Sequence, residues 1–227
     1  MESLRTEEEQ LTAIKMVWKS YGYAILLGLA LLLSSVCGYK AWQNHQQAEA
    51  GRASGLYIDL LDIALSERGK VLTDEQKATM EHLSQTLKTD FESSIYAQFA
   101  ALFKARNAVV DSDFSTAAGE LKWLLLQKPE REMAIIARLR LAKVLLAQRE
   151  EVKQVEALAV LDEIGKPGAF ESNYNVVRGD VLWALGQRDD AREAYQMAID
   201  TASAVGNSLP LVQMKLDDLA VSEETSE

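Results

Sequence analysis

The one cysteine of the chain, Cys37, closes its most apolar run, AILLGLALLLSSVCG from Ala24 to Gly38. A thiol there has one obvious chemistry: were the run a lipoprotein signal, cleavage before Cys37 would leave it as an acylated N-terminus. That processing requires a small residue just before the cysteine, and Val36 occupies the position. A single cysteine also cannot form an internal disulfide, so the fold must rest on packing. The two histidines, His45 and His82, stand apart from each other and from any Cys-x-x-Cys or His-Glu-x-x-His pattern, so neither a metal site nor a cofactor is expected. Glycine-rich phosphate loops and a Gly-x-Ser-x-Gly nucleophile turn are absent from the sequence. The carboxylates fit helix caps and solvated helix faces. The expectation is a protein without catalytic residues.

Charge narrows the possible partners. Of 34 acidic and 24 basic residues, residues 1–40 hold four of each, so the whole net charge of -10 lies after the apolar run. A body of that sign is repelled by nucleic acid and by anionic headgroups, which leaves proteins as partners and argues against nucleic acid. Three prolines and abundant Ala, Leu, Glu, Gln and Lys favour helices throughout.

The elements that position these residues begin with a span. Between Lys19 and Lys40 lie twenty residues without formal charge, about 30 Å of helix, which matches a bilayer's hydrocarbon thickness. Ile25, Leu26, Leu27, Leu29, Leu31, Leu32, Leu33 and Val36 together favour insertion by about 3 to 4 kcal/mol. Trp18, Tyr21 and Tyr23 precede the run, and Tyr39 and Trp42 follow it, as an aromatic belt would. The twenty-residue acidic lead does not resemble a cleavable signal, and the flanking charges and belt argue against a soluble core helix. Thr6 and Glu9 have capping-box spacing, and Leu11, Ile14, Trp18 and Tyr21 recur at helical intervals, so a helix is expected to start near Glu7. Arg5, Lys15 and Lys19 weigh the lead toward the cytoplasm. The sequence thus predicts residues 1–20 as a cytoplasmic juxtamembrane segment, 21–40 as an uncleaved transmembrane helix, 41–220 as a periplasmic domain and 221–227 as a polar tail. Within the span, Ala24, Gly28, Ser35 and Gly38 share a helix face. They either admit a second membrane helix at close range or reflect how common small residues are in membrane helices.

After the span the pattern is all-α, and it repeats. Aligning DFSTAAGELKWLL, QVEALAVLDEI and DDAREAYQMAI makes Ala117, Ala157 and Ala191 coincide, then Leu121, Leu161 and Tyr195, then Leu124, Ile164 and Ala198. Upstream, Ala105, Ala142 and Gly179 coincide at intervals of 37, with Ala108, Leu145 and Leu182 three residues later. Small residues let paired helices cross closely, and larger ones fill the groove between them. The last unit, VRGDVLWALGQRDDAREAYQMAI, resembles a tetratricopeptide repeat. In it Gly186 ends one helix, and Asp189 or Asp190 is placed to cap the next. About three extra residues near Arg149 to Lys153 are expected to lengthen the middle turn. An atypical hairpin comes first, with Ala53, Leu56, Tyr57, Leu60, Leu61 and Ala64 on one helix and Met80, Leu83 and Leu87 on the next. Pro210 opens a capping helix with Leu211, Met214 and Leu219.

Stacked hairpins present a surface built from the first helix of each pair. In this register it comprises Phe99, Leu102, Arg106, Val109, Ile136, Leu139, Lys143, Leu146, Val176, Asp180 and Trp183. These residues form a groove for a protein partner, with Trp183 as its anchor, or pack against neighbouring helices. The basic, Asn-rich clamp by which some such domains hold a C-terminal carboxylate is not evident.

The lead with QLTAIKMVWKSYG, the span ending GYKAWQNHQ, the RLRLAKV segment and RGDVLWALGQRDDAREAYQMAI followed by QMKLDDL together resemble the YfgM family, nearly end to end. That resemblance implies a type II inner-membrane protein, N-terminus cytoplasmic and domain periplasmic. It further implies association with the SecYEG translocon and the membrane-anchored chaperone PpiD, and help in handing exported client chains to other periplasmic chaperones. The family brings no catalytic residues. The alternative is a helical-repeat lipoprotein or scaffold of outer-membrane assembly.

Overall fold

The computed structural model describes residues 2–66 and 72–224, and for 2–10, 13, 25, 66 and 220–224 the backbone alone. Among the described residues there are nine α-helices and no strand: α1 (Glu2–Ser66), α2 (Asp74–Asp90), α3 (Ile95–Val110), α4 (Phe114–Leu126), α5 (Arg131–Ala147), α6 (Glu151–Asp162), α7 (Glu171–Ala184), α8 (Arg188–Ala204) and α9 (Pro210–Glu224). A short 3-10 turn, Gly168–Phe170, leads into α7. The chain divides into two compact units, Met1–Arg52 and Ala53–Glu227.

The first unit is the leading part of α1. Its backbone is helical from Glu2 rather than from near Glu7, and the Thr6–Glu9 capping pair falls outside the described side chains. Large apolar side chains stand exposed all along it, including Tyr23 at 80%, Leu31 at 68% and Trp42 at 58%. Monomeric proteins in water rarely expose an apolar surface of that length. No single described helix is long and apolar enough to cross a membrane, but Ile14–Ala24 and Leu26–Leu65, bent by 51°, meet the length and hydropathy requirement together. The run 21–40 crosses that bend.

The second unit is a stack of helical hairpins, and its core sits on the repeated small positions. Ala117, Ala157 and Ala191 are fully buried, as are Leu161, Leu124 and Ala198, with Leu121 and Tyr195 nearly so. Burying a large apolar side chain such as leucine contributes about 2 kcal/mol, so the aligned positions are a substantial part of the packing of each hairpin. Ala105 and Ala142 share one continuous core with Leu121 and Leu161. The third pair differs, because Gly179 stands against the ring of Tyr195. Where the second helix offers a ring, the first has no room even for a methyl group.

The three-residue turns within the hairpins share a left-handed middle residue, while their third residues differ: Asp113 and Gln187 have ψ of 74° and 73°, Glu150 an extended ψ of 132°. Ser112, Arg149 and Gly186 each take the middle position with φ of 60°, 58° and 76°, and the first and third turns close with Asp113 N–H on the Ala108 carbonyl at 2.8 Å and Gln187 N–H on the Leu182 carbonyl at 2.9 Å. Only one of the three is glycine, the residue that adopts this region without cost. The middle turn is no longer than the others: the extra residues form the first turn of α6, which starts six residues before Ala157, whereas α4 and α8 start three before Ala117 and Ala191. A helix absorbs three residues with little change of face, which a tight turn cannot do.

Caps follow the sequence in part. Thr73 and Gln76 make a reciprocal capping box on α2, and Ser94 and Asp113 cap α3 and α4. Asp189 and Asp190 do not cap α8: Gln187 holds the cap position without a side-chain bond, and the two acids lie in the first turn, where they favour the positive end of the helix dipole. In α9 the packed face is Val212, Leu216 and Leu219, whereas Leu211 and Met214 are exposed.

The atypical α1–α2 hairpin joins the stack through a smaller core in which Ala53 and Leu60 of α1 meet Leu87 of α2 and Ala100 of α3. The Tyr57 ring lies 5.3 Å from Tyr96 and 5.6 Å from Phe99. Desolvation raises the Tyr57 pKa, with Tyr96 adding to it.

Candidate functional site

The helices α3, α5 and α7 line two grooves. The first, of about 590 Å3, is bounded by Leu146 and Arg149 of the second hairpin, Asp180 and Trp183 of α7, and Lys215, Asp218 and Leu219 of α9. Trp183 is 59% exposed there, a large ring open to a partner. The floor is ordered by a polar contact set: the Tyr195 hydroxyl donates to Asp180 Oδ1 at 2.8 Å, and Lys215 Nζ reaches the same oxygen. Burial, reinforced by the Asp180 charge, holds the Tyr195 phenol far above its ordinary pKa, so it stays a proton donor. The Lys215 ammonium lies 5.7 Å from the Tyr195 ring centre. Through these contacts α9 is fixed to the last repeat.

The second groove, of about 360 Å3, lies between α3 and α5 and is walled by Leu102, Val109, Val110, Phe114, Leu121 and Val144. Arg106 from α3 and Arg140 and Lys143 from α5 stand on its rim. All three cations are exposed.

The sequence-predicted surface residues divide between these places. Leu102, Arg106, Val109 and Lys143 come together on the α3–α5 groove, and Leu146, Asp180 and Trp183 on the other. Leu139 belongs to the core, Val176 packs on the last core cluster, Phe99 stacks on Tyr57, and Ile136 is half-buried outside both grooves. In α1, Ala24, Gly28, Ser35 and Gly38 are all exposed, and a Cβ on Gly28 or Gly38 would meet nothing. The Ser35 hydroxyl donates to the Leu31 carbonyl at 2.8 Å, which satisfies it without leaving the helix.

Arg140, Val110, Phe114 and the α9 residues escaped the sequence reading, which took only the first-helix face of each hairpin. The signal for Arg140 was its i,i+3 spacing to Lys143. The α9 contribution had none, since it depends on how the last helix folds back.

On the α2–α3–α4 side, a buried ionic cluster ties the atypical hairpin to the repeats. Glu120, with its side chain 9% exposed, receives Lys88 at 2.6 Å and Lys104 at 3.0 Å, and Lys104 also donates to Glu81 at 2.8 Å. Lys88 sits 4.5 Å above the Trp123 ring. Desolvation would lower the Lys104 pKa, but its hydrogen bonds to Glu81 and Glu120 outweigh it and the pKa is raised. Ser84, fully buried in α2, has an unpartnered hydroxyl. Among the described residues no three of His, Cys, Asp or Glu gather around a point where a metal ion could sit.

Residues 15–221 match the model of the tetratricopeptide repeat-like domain family. A protein of Aggregatibacter actinomycetemcomitans named ancillary SecYEG translocon subunit is 31% identical over 213 residues, which cover 94% of this chain and 97% of that one. Proteins of the same name from Haemophilus influenzae and Escherichia coli are 28% and 27% identical, the latter over 97% of this chain and 100% of its own. No solved structure matches the chain.

Proposed function

The chain belongs to the tetratricopeptide repeat-like domain family and to the family of ancillary SecYEG translocon subunits, and from that premise we propose that it is a membrane-anchored, non-enzymatic scaffold of the Sec translocon in a bacterial inner membrane. The observation that carries this reading is the alignment with relatives of that name over nearly the full length of both chains, leading segment and repeat body alike. Two features of the chain support it. The exposed apolar surface of α1 suits a lipid environment better than water, and the two grooves of the repeat body suit protein segments. In this reading residues 21–40 hold the chain in the membrane with its N-terminus in the cytoplasm and the repeats in the periplasm. There the repeats bind a PpiD-like membrane-anchored chaperone, other periplasmic chaperones and emerging client chains, and assist their handover. The face of Ala24, Gly28, Ser35 and Gly38 is the proposed contact with a membrane helix of a partner.

The test is purification of the full-length chain from membranes in mild detergent, with photocrosslinking residues at positions 28 and 35. Recovery of SecYEG subunits and a PpiD-like chaperone, with crosslinks from those two positions, is the expected result. Recovery of neither overturns the reading, and an acylated N-terminal Cys37 in the mature protein replaces it with the lipoprotein alternative.

A further inference from the structure

We propose that the groove between α3 and α5 is a docking site for an acidic, apolar protein segment, one that presents aliphatic or aromatic side chains to the groove and carboxylates to its rim. The inference rests on reading the repeat body as a protein scaffold, and it deepens that reading by naming the chemistry of the partner and the groove that takes it.

Charge is the deciding observation. The body carries a large excess of acid, yet no Asp or Glu lines this groove, while Arg106, Arg140 and Lys143 all do. None of the three has a carboxylate partner among the described residues. Elsewhere in the body pairing is common: Lys77 with Asp111, Lys122 with Glu156, Arg138 with Glu163, Arg178 with Asp162. Three like charges around one apolar depression repel each other in the free protein, and a ligand bearing carboxylates relieves that repulsion as it binds. The other groove differs, because Asp180 already takes Lys215 and Asp218 also faces it.

Apolar surface supplies the second half of the recognition. Val110 is 67% exposed and Val109 40%, and Phe114 and Leu102 lie behind them. A depression bounded by two helices accepts side chains standing out from a strand or helix, and the charges at its edge fix orientation. A bilayer surface fits less well: the site is concave, and the acidic body around it is repelled by anionic lipid.

The full-length chain in phosphatidylcholine nanodiscs, titrated into a fluorescein-labelled 14-residue peptide of Leu and Glu, reads binding by anisotropy. Two further peptides replace Glu by Lys or Leu by Ser. Saturable binding of the Leu-Glu peptide alone is expected, weakened about tenfold by Arg140→Glu, weakened by added salt, and unchanged by the charge-matched Lys166→Glu outside the groove. Equal binding of the Leu-Glu and Leu-Lys peptides, insensitivity to Arg140→Glu, or no saturable binding overturns the proposal, as does Arg140-dependent binding of phosphatidylglycerol vesicles without peptide binding. Translocon capture is scored separately. Its failure with peptide binding intact sinks the functional reading alone, and the reverse result sinks only the assignment of this groove.

Discussion

The Tyr195 ring occupies the space where a Cβ on Gly179 would stand, with Cε1 2.5 Å and Cδ1 2.6 Å from that position. The ring cannot swing aside freely, because Tyr195 is 2% exposed and its hydroxyl is held by Asp180.

Gly179→Ala is therefore expected to destabilise the repeat body by about 1 to 3 kcal/mol, although alanine is the better helix former. In a Tyr195→Leu background, which recreates the Ala–Leu pairing of the first two hairpins, the same change becomes neutral or stabilising. Thermal melting of the four proteins of this double-mutant cycle, followed by circular dichroism, measures the coupling. Additive effects would show that ring and glycine do not compete for the same space.

Glu120→Ala leaves the ammonium groups of Lys88 and Lys104 buried without their shared partner, and costs about 3 to 5 kcal/mol. Asp111→Ala, which breaks the exposed pair with Lys77, costs at most about 1 kcal/mol. Chemical denaturation of both variants gives the comparison, and equal losses would remove the case for a buried cluster.

The pH dependence of the Lys104 contact has a definite sign. Its folded pKa lies above the ordinary lysine value of 10.5, so the stabilisation is fully present below that pH and is lost as pH rises through the higher folded value. Stability measured from pH 8 to 12 falls more steeply in the native chain than in Lys104→Met. On the acid side, Lys122 and then Lys153 hold the Glu156 carboxyl below its ordinary value, so that contact is lost as pH falls below 4.5. A carboxyl titration followed by NMR returns Glu156 toward 4.5 in Lys122→Met.

The left-handed middle residue common to the three turns makes a further comparison. Ser112→Gly and Arg149→Gly relieve a left-handed backbone at a non-glycine residue and stabilise by about 0.5 to 1 kcal/mol, net of the added chain entropy. Gly186→Ala, where a Cβ has open space, loses about 1 kcal/mol on conformation alone. Melting temperatures that move the other way would show that these turns relax.

Much of the second unit was legible because helix crossings demand small residues at fixed intervals, and Ala117, Ala157 and Ala191 supply them. The apolar face of α9 was misread since Val212 and Leu211 differ only in which one faces the last repeat, a choice made by tertiary packing. The α3–α5 groove was half legible: Arg106 and Lys143 follow from the repeat register, whereas Phe114 enters from the second helix of its hairpin. The ion cluster on Glu120 left no local trace, because Lys88, Lys104 and Glu120 come from three helices.

The early start of α6 constrains which length changes the stack can accept. Added residues rotate everything before them by 100° each, so three bring the preceding chain to within 60° of a full revolution. Length in this body is quantised. An insertion of three or four residues at the head of a second helix keeps Ala157-like positions roughly in phase with their crossing partners, while one would turn the hairpin's entry by about 100° and two by about 200°.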